Sequence, residues 1–203
     1  MELKYQSQAS QDKFVAKILN FKRDGFYLDI GSCDAVSCNN TLAFEDLNWE
    51  GVCVEIDEQH AESYKQRTCH YIKDDALKVN YASLLQALNF PKRIDYLSLD
   101  IDGLSTQVLK LLPFDDYEFS VITIEHDAYI HGDKYRAEQR EFLNSKGYIL
   151  FCANVLVPVS DDTKEGSDFE DWWVNPSILT KCNDGYNVMP AGMYPNQILE
   201  RLK

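Results

Sequence analysis

Short apolar runs alternate with amphipathic segments along most of this chain, and that rhythm constrains its fold more than any other feature. Phe26-Tyr-Leu-Asp-Ile, Gly51-Val-Cys-Val-Glu-Ile, Cys69-His-Tyr-Ile-Lys, Ile94-Asp-Tyr-Leu-Ser-Leu-Asp and Phe119-Ser-Val-Ile-Thr-Ile-Glu each read as a buried strand. The segments between them carry helical spacing. Phe14, Val15, Ile18 and Leu19 fall on one face of a helix that Ser10 can cap and Gly25 ends. Asn39 or Asn40 can cap a helix through Leu47, and Asp57 starts a polar helix to about Arg67. Asn80 caps a helix carrying Leu84, Leu85 and Leu88, and Ser105 opens one containing Val108, Leu109 and Leu112. Asp133 caps a charged helix to Lys146, which Gly147 stops.

Strands alternating with helices imply right-handed crossovers and a mainly parallel sheet. The last two strands, Tyr148 to Val157 and Asp168 to Val174, have no helix between them. They are expected to pair antiparallel across the acidic loop Ser160 to Ser167. The fold class is therefore α/β and Rossmann-like: a mainly parallel seven-stranded sheet with a terminal antiparallel strand and helices on both faces. With 203 residues, the expectation is a single domain over 1–203, since the length supports one core and not two. Adjacent Trp172 and Trp173 point to opposite faces of their strand, so one is expected in the core; packing is the default for the other as well, with an acceptor sugar or a dimer partner as the alternative.

Charge and composition narrow the function. The net charge is -13, which repels phosphate backbones and argues against a nucleic-acid partner. No stretch approaches the roughly 20 apolar residues that span a bilayer, and the N-terminus lacks an apolar signal core. No membrane association and a cytoplasmic location are expected. The six cysteines form no CxxC pair, and several sit in apolar runs, as small buried hydrophobes do in a reducing compartment. Cys33 and Cys38 are close enough in sequence for a disulfide, which is the minor reading.

In open α/β sheets ligands bind beyond the carboxyl ends of the strands. The first strand ends in Asp29-Ile-Gly31-Ser32, where a glycine permits a tight turn beside a ligand. A carboxylate there suits a cationic ligand and repels pyrophosphate, and the G-x-G-x-x-G dinucleotide pattern is absent. Glu55 and Ile56 end the second strand, and an acid in that place can accept hydrogen bonds from ribose hydroxyls. Asp75 and Ala76 follow the third strand, where they can meet an adenine. Asp100 and Asp102 follow the fourth and share a face if the strand persists that far. The fifth ends in Glu125-His126-Asp127, and His126 is the natural general base.

These residues resemble the FkbM family of S-adenosylmethionine-dependent methyltransferases from about Gly25 to Pro176. Gly25-Phe-Tyr-Leu-Asp-Ile-Gly, Asn39-Asn-Thr, Trp49-Glu-Gly-Val-Cys-Val-Glu-Ile, Ile94-Asp-Tyr-Leu-Ser-Leu-Asp-Ile-Asp-Gly and Phe169-Glu-Asp-Trp-Trp-Val-Asn-Pro carry the resemblance through their order and spacing. It implies a Rossmann-like fold, S-adenosylmethionine as donor, and O-methylation of a hydroxyl on a sugar, glycan or natural-product-like acceptor. Asp29 and Gly31, with Ser32, match the donor turn; Glu55, with Ile56, matches the ribose acid. Asp75 and Ala76 flank adenine, and Asp100 matches the acid after the fourth strand. Ala35 stands where the family often has a second glycine, which leaves less room for the donor or shifts the turn, and Asp102 stands where it often has Glu.

The expected mechanism is direct methyl transfer to oxygen, with His126 as base and Asp100 or Glu125 orienting it. A variant uses magnesium or manganese on oxygen and imidazole ligands drawn from Asp100, Asp102, Glu125, His126 and Asp127, with Asp100, Asp102 and Asp127 as the metal set. A non-catalytic binding module with a degenerate donor site is the alternative. The chain has little outside its core to cover an acceptor, so the first helix, the segment Tyr129 to Tyr135, the C-terminal tail or a homodimer partner must supply a lid.

Overall fold

The apolar runs become seven strands of one sheet. They are β1 (Phe26–Ile30), β2 (Glu50–Glu55), β3 (His70–Lys73), β4 (Arg93–Leu99), β5 (Glu118–Glu125), β6 (Ile149–Pro158) and β7 (Gly166–Val174). A computed structural model describes residues 3–158, 166–181 and 188–202. The sheet order is β3-β2-β1-β4-β5-β7-β6. β1 to β5 pair parallel, while β7 runs antiparallel to both β5 and β6. Most of the expected acidic loop, residues 159–165, and Cys182 lie outside the described residues.

Strand alternation sorts the core into two layers. One face packs Tyr27, Trp49, Phe151 and Trp172 against Phe14 of α1 (Gln11–Ile18), Phe44 of α2 (Leu42–Glu45) and Ile198 of α8 (Pro195–Arg201). The other packs Leu28, Leu97, Ile122 and Trp173 against Leu85 of α3 (Tyr81–Ala87), Leu109 of α4 (Ser105–Leu109) and Leu143 of α6 (Asp133–Ser145). Two short helices complete the described elements, α5 (Ala128–His131) and α7 (Pro176–Lys181). No described helix is long and apolar enough to cross a membrane.

The tryptophans follow the packing default and not the acceptor or dimer alternative. Both are 0% exposed, because β7 lies inside the sheet and both its faces are covered. Trp172 stacks on Phe14 with ring centroids 4.2 Å apart, and its indole N–H donates to Glu170 Oε1 at 2.7 Å.

Several local expectations also change. Ser10 makes no side-chain cap and sits in the left-handed region at φ 58°. Asp12, at the start of α1, instead accepts from the backbone N–H groups of Gln6 and Ser7. The polar helix expected from Asp57 breaks into two 3-10 turns, Glu58–His60 and Ser63–Gln66. The Ser63 hydroxyl bonds the His60 carbonyl at 2.7 Å and competes with helix continuation. Gly132 takes the cap position of α6, and Asp133 is its first residue. Asn80 does cap α3, accepting from Ser83 N at 3.0 Å, and Gly147 follows α6 at φ 81°. β4 ends at Leu99, so Asp100 and Asp102 share no strand face; Asp102 opens a 3-10 turn at φ 49°.

Candidate active site

The order in which the chain adds strands reverses between β1 and β4, which run parallel, and a cavity of about 510 Å³ opens at their carboxyl ends. Gly31 makes the opening turn. Its backbone lies at φ 79°, and a Cβ there would stand 1.8 Å from the carbonyl oxygen of Asp100. Only glycine fits so close a crossing of two strand tips. The N–H groups of Gly31 and Ser32 both donate to the Val54 carbonyl, tying the turn to β2.

Glu55 fastens the same corner. Its Oε2 accepts from Cys33 N and its Oε1 from Asp57 N, each at 2.8 Å. Each carboxylate oxygen retains a lone pair for a ligand hydroxyl. Behind the turn lies a network that the sequence did not flag. Arg67 is buried and donates to the Ala35 carbonyl (2.7 Å), Asn39 Oδ1 (3.1 Å) and Glu45 (2.6 Å). Asn39 in turn accepts from the N–H groups of Thr41 and Leu42, but the cap position of α2 is Thr41, so neither expected asparagine occupies it.

Asp29, Glu55 and Asp100 line this one cavity, together with Gly31, Ser32, Ile56, Asp75 and Ala76. Eight of its lining residues are acids, Asp29, Glu55, Asp57, Asp74, Asp75, Asp100, Asp102 and Glu125, and none is lysine or arginine. Asp29 forms the floor. Burial pushes its carboxyl up to about 6 even though the Thr41 hydroxyl donates to it at 2.8 Å. Asp75 is held below the usual carboxylate range by the Leu77 N–H and Lys78.

Three buried polar atoms of the wall have no protein partner, Ser32 Oγ, Asn40 Oδ1 and Glu125 Oε2. Asn40 donates its amide to Ser98 Oγ at 3.0 Å, which leaves the oxygen over. The sequence offered Asn40 only as a helix cap; its role on the wall depends on Ser98, which is distant in the chain. Buried orphan acceptors are uncommon in folded proteins, so they mark where a ligand donates.

At the far side of the cavity stand Asp100, Asp102, Glu125 and Asp127. Burial, then Asp100 and Asp127, push Glu125 up to about 12, and burial raises Asp100 as well. Oxygens of Asp102, Glu125 and Asp127 come within 4.8 Å of one another. Asp100 is outside this trio, so the expected metal set of Asp100, Asp102 and Asp127 exchanges Asp100 for Glu125. The physical reason is that Asp100 sits at the β4 tip, whereas Asp127 follows the β5 tip beside Glu125.

His126 corrects the expected base. Its ring is 0% exposed and does not line the cavity. Nδ1 accepts from Ala128 N at 3.2 Å, and Nε2 faces Asp171 at 3.6 Å on the interior side. Arg140 grips that aspartate with two bonds of 2.7 and 2.8 Å and holds it below the usual carboxylate range. In this structure the imidazole is closed off from the cavity in which an acceptor hydroxyl would lie. Ala35 also differs from expectation: it is fully buried in the core, outside the cavity lining, and takes no room from a donor.

No family model matches the chain, and no curated protein does. Solved structures do match. A precorrin-6y C5,15-methyltransferase from Geobacter metallireducens aligns at TM-score 0.54 and 17% identity over 80% of this chain and 86% of that one. A candidate O-methyltransferase from Klebsiella pneumoniae aligns at TM-score 0.54 and 17% identity, covering 82% and 80%. The fold is that of the Rossmann-like methyltransferases. An rRNA methylase from Streptococcus thermophilus aligns at TM-score 0.50 and 14% identity over 80% of this chain and 94% of that one. At such identities the likeness is one of fold.

Proposed function

We propose that this chain is an S-adenosylmethionine-dependent methyltransferase acting on a hydroxyl of a small sugar, glycan or natural-product-like acceptor. One observation carries the reading: the cavity where the strand order reverses is lined by eight acids and by no lysine or arginine. A ligand with a cationic amine and a sulfonium is attracted there, and a pyrophosphate is repelled. Ser32 Oγ, Asn40 Oδ1 and the free lone pairs of Glu55 are the acceptors for its N–H and O–H groups. Asp75 and Ala76 form the wall for the adenine.

S-adenosylmethionine supplies an electrophilic methyl group: the acceptor oxygen bonds the carbon as the C–S bond breaks, and that electron pair stays on sulfur. The chain's own residues have three tasks. The Gly31 turn lets the donor approach the strand tips, Glu55 holds that turn in shape, and the acids at the far wall take the hydroxyl proton. Asp100 replaces His126 in that last task, since it lines the cavity. Magnesium or manganese among those acids belongs to the same reading.

The net charge of -13 favours a small acceptor over RNA, although RNA methylases share the fold. The five described cysteines are free, in keeping with a reducing, cytoplasmic setting. The FkbM resemblance points to the hydroxyl acceptor. The non-catalytic alternative rested on Ala35, which lies away from the cavity.

Calorimetric titration with S-adenosylhomocysteine tests the donor assignment. One-to-one binding is expected, weakened about tenfold or more by Glu55→Ala. Absence of heat, or tight binding of NAD in its place, would overturn it. Transfer of labelled methyl groups to RNA but to no hydroxyl compound would overturn the acceptor class.

A further inference from the structure

Asp102, Glu125 and Asp127 come from two separate segments, the 3-10 turn after β4 and the end of β5, yet their carboxylate oxygens converge within 4.8 Å. Like charges this close repel unless something holds them. A proton on Glu125, favoured by burial and by Asp100 and Asp127, lessens that repulsion, but among the described residues no lysine or arginine side chain pairs with any of the three. Glu125 is 6% exposed and Asp127 2% exposed, and Glu125 Oε2 and Asp127 Oδ2 are buried without a hydrogen-bond donor. No lysine or arginine lines the adjoining cavity. The backbone is bent to bring two of them here, since Asp102 and Asp127 both take left-handed conformations, at φ 49° and 48°.

We infer that Asp102, Glu125 and Asp127 form a site for a hard divalent cation, magnesium or manganese, at the acceptor end of the cavity. Carboxylate oxygens alone select that ion class over zinc or copper, which favour nitrogen and sulfur. Three protein oxygens leave coordination positions open, and an acceptor hydroxyl can fill one. A cation there lowers that hydroxyl's pKa, so its proton leaves more easily to Asp100. The exposed apolar side chains of Leu104, Tyr129 and Ile130 stand in the segments that carry two of the ligands. They offer a wall for the acceptor's carbon skeleton. The acceptor role rests on the methyl-transfer reading; the cation site itself does not.

Manganese titration followed by electron paramagnetic resonance tests the site on the full chain without any donor. At about 0.1 M salt, which screens diffuse surface charge, the wild type should bind one manganese per chain. Excess magnesium should displace it. Asp127→Asn and Glu125→Gln should each weaken binding by about tenfold or more. Asp102→Asn, at the most exposed ligand, serves where a buried substitution prevents folding, and should also weaken it. Asp115→Asn, on an exposed acid paired with Lys146, should bind as wild type does. No stoichiometric manganese, or equal binding by the folded ligand variants and wild type, would overturn the site. Loss of S-adenosylhomocysteine binding with manganese binding retained would overturn only the methyl-transfer reading.

Discussion

Gly31 and Asp100 cross so closely that a methyl group on Gly31 would lie 1.8 Å from the Asp100 carbonyl oxygen. This contact joins the tips of β1 and β4, where the strand order reverses, and it sets the shape of the cavity. Gly31→Ala must push the strands apart and hold alanine at φ 79°. A stability loss of about 1–3 kcal/mol is expected, with S-adenosylhomocysteine affinity lowered about tenfold or more. Denaturant melts and calorimetry measure the two effects, and an unchanged affinity would show that the turn does not shape the donor site.

Glu55 bonds two backbone N–H groups from different turns. Glu55→Gln keeps one acceptor oxygen and places an amide against the second N–H. The loss expected is about 1–3 kcal/mol in stability, together with weaker donor binding. Equal donor affinity in Glu55→Gln and wild type would limit Glu55 to the fold.

Trp172 and Trp173 fill opposite faces of β7 and are both fully buried. Each single change to alanine should cost about 3–5 kcal/mol. Neither should alter donor affinity in the fraction that remains folded. A selective loss of ligand binding in one of them would restore the idea that one ring meets an acceptor.

Glu170 gives the stability a pH dependence. It is buried, and its carboxyl is pushed up to about 8 from an ordinary value of 4.5 despite the Trp172 N–H bond. Between those values the folded chain holds a proton that the unfolded chain releases. Glu170's contribution is therefore fully present below about 4.5 and is lost as pH rises through about 8. Glu170→Gln should flatten this slope, so melting temperatures of variant and wild type should diverge in the variant's favour as pH climbs to 8. Parallel curves would rule out Glu170 as the titrating group.

His126→Asn should leave donor binding intact, because the ring faces Asp171 and not the cavity. Its cost falls on stability, through the lost Ala128 N–H bond and a disturbed Asp171–Arg140 pair. With an acceptor in hand, a loss of turnover that stability cannot explain would return His126 to the reaction.

The order of strands and helices was legible because burial alternates with period two in strands and near 3.6 in helices, and each apolar run carries that signal locally. The same local logic placed acids at the strand tips, so Asp29, Glu55 and Asp100 could be named from sequence. Which side chain faces the cavity was decided by tertiary structure. His126 and Glu125 are neighbours in the chain, yet one ring turns inward to Asp171 while the other side chain lines the wall. Asn40 and Arg67 owe their positions to partners far away in sequence, Ser98 for one and Glu45, Ala35 and Asn39 for the other. Trp172 and Trp173 were both buried only because β7 came to lie between two other strands. Local periodicity fixes which residues can be inside. The long-range pairing of strands fixes what each of them meets there.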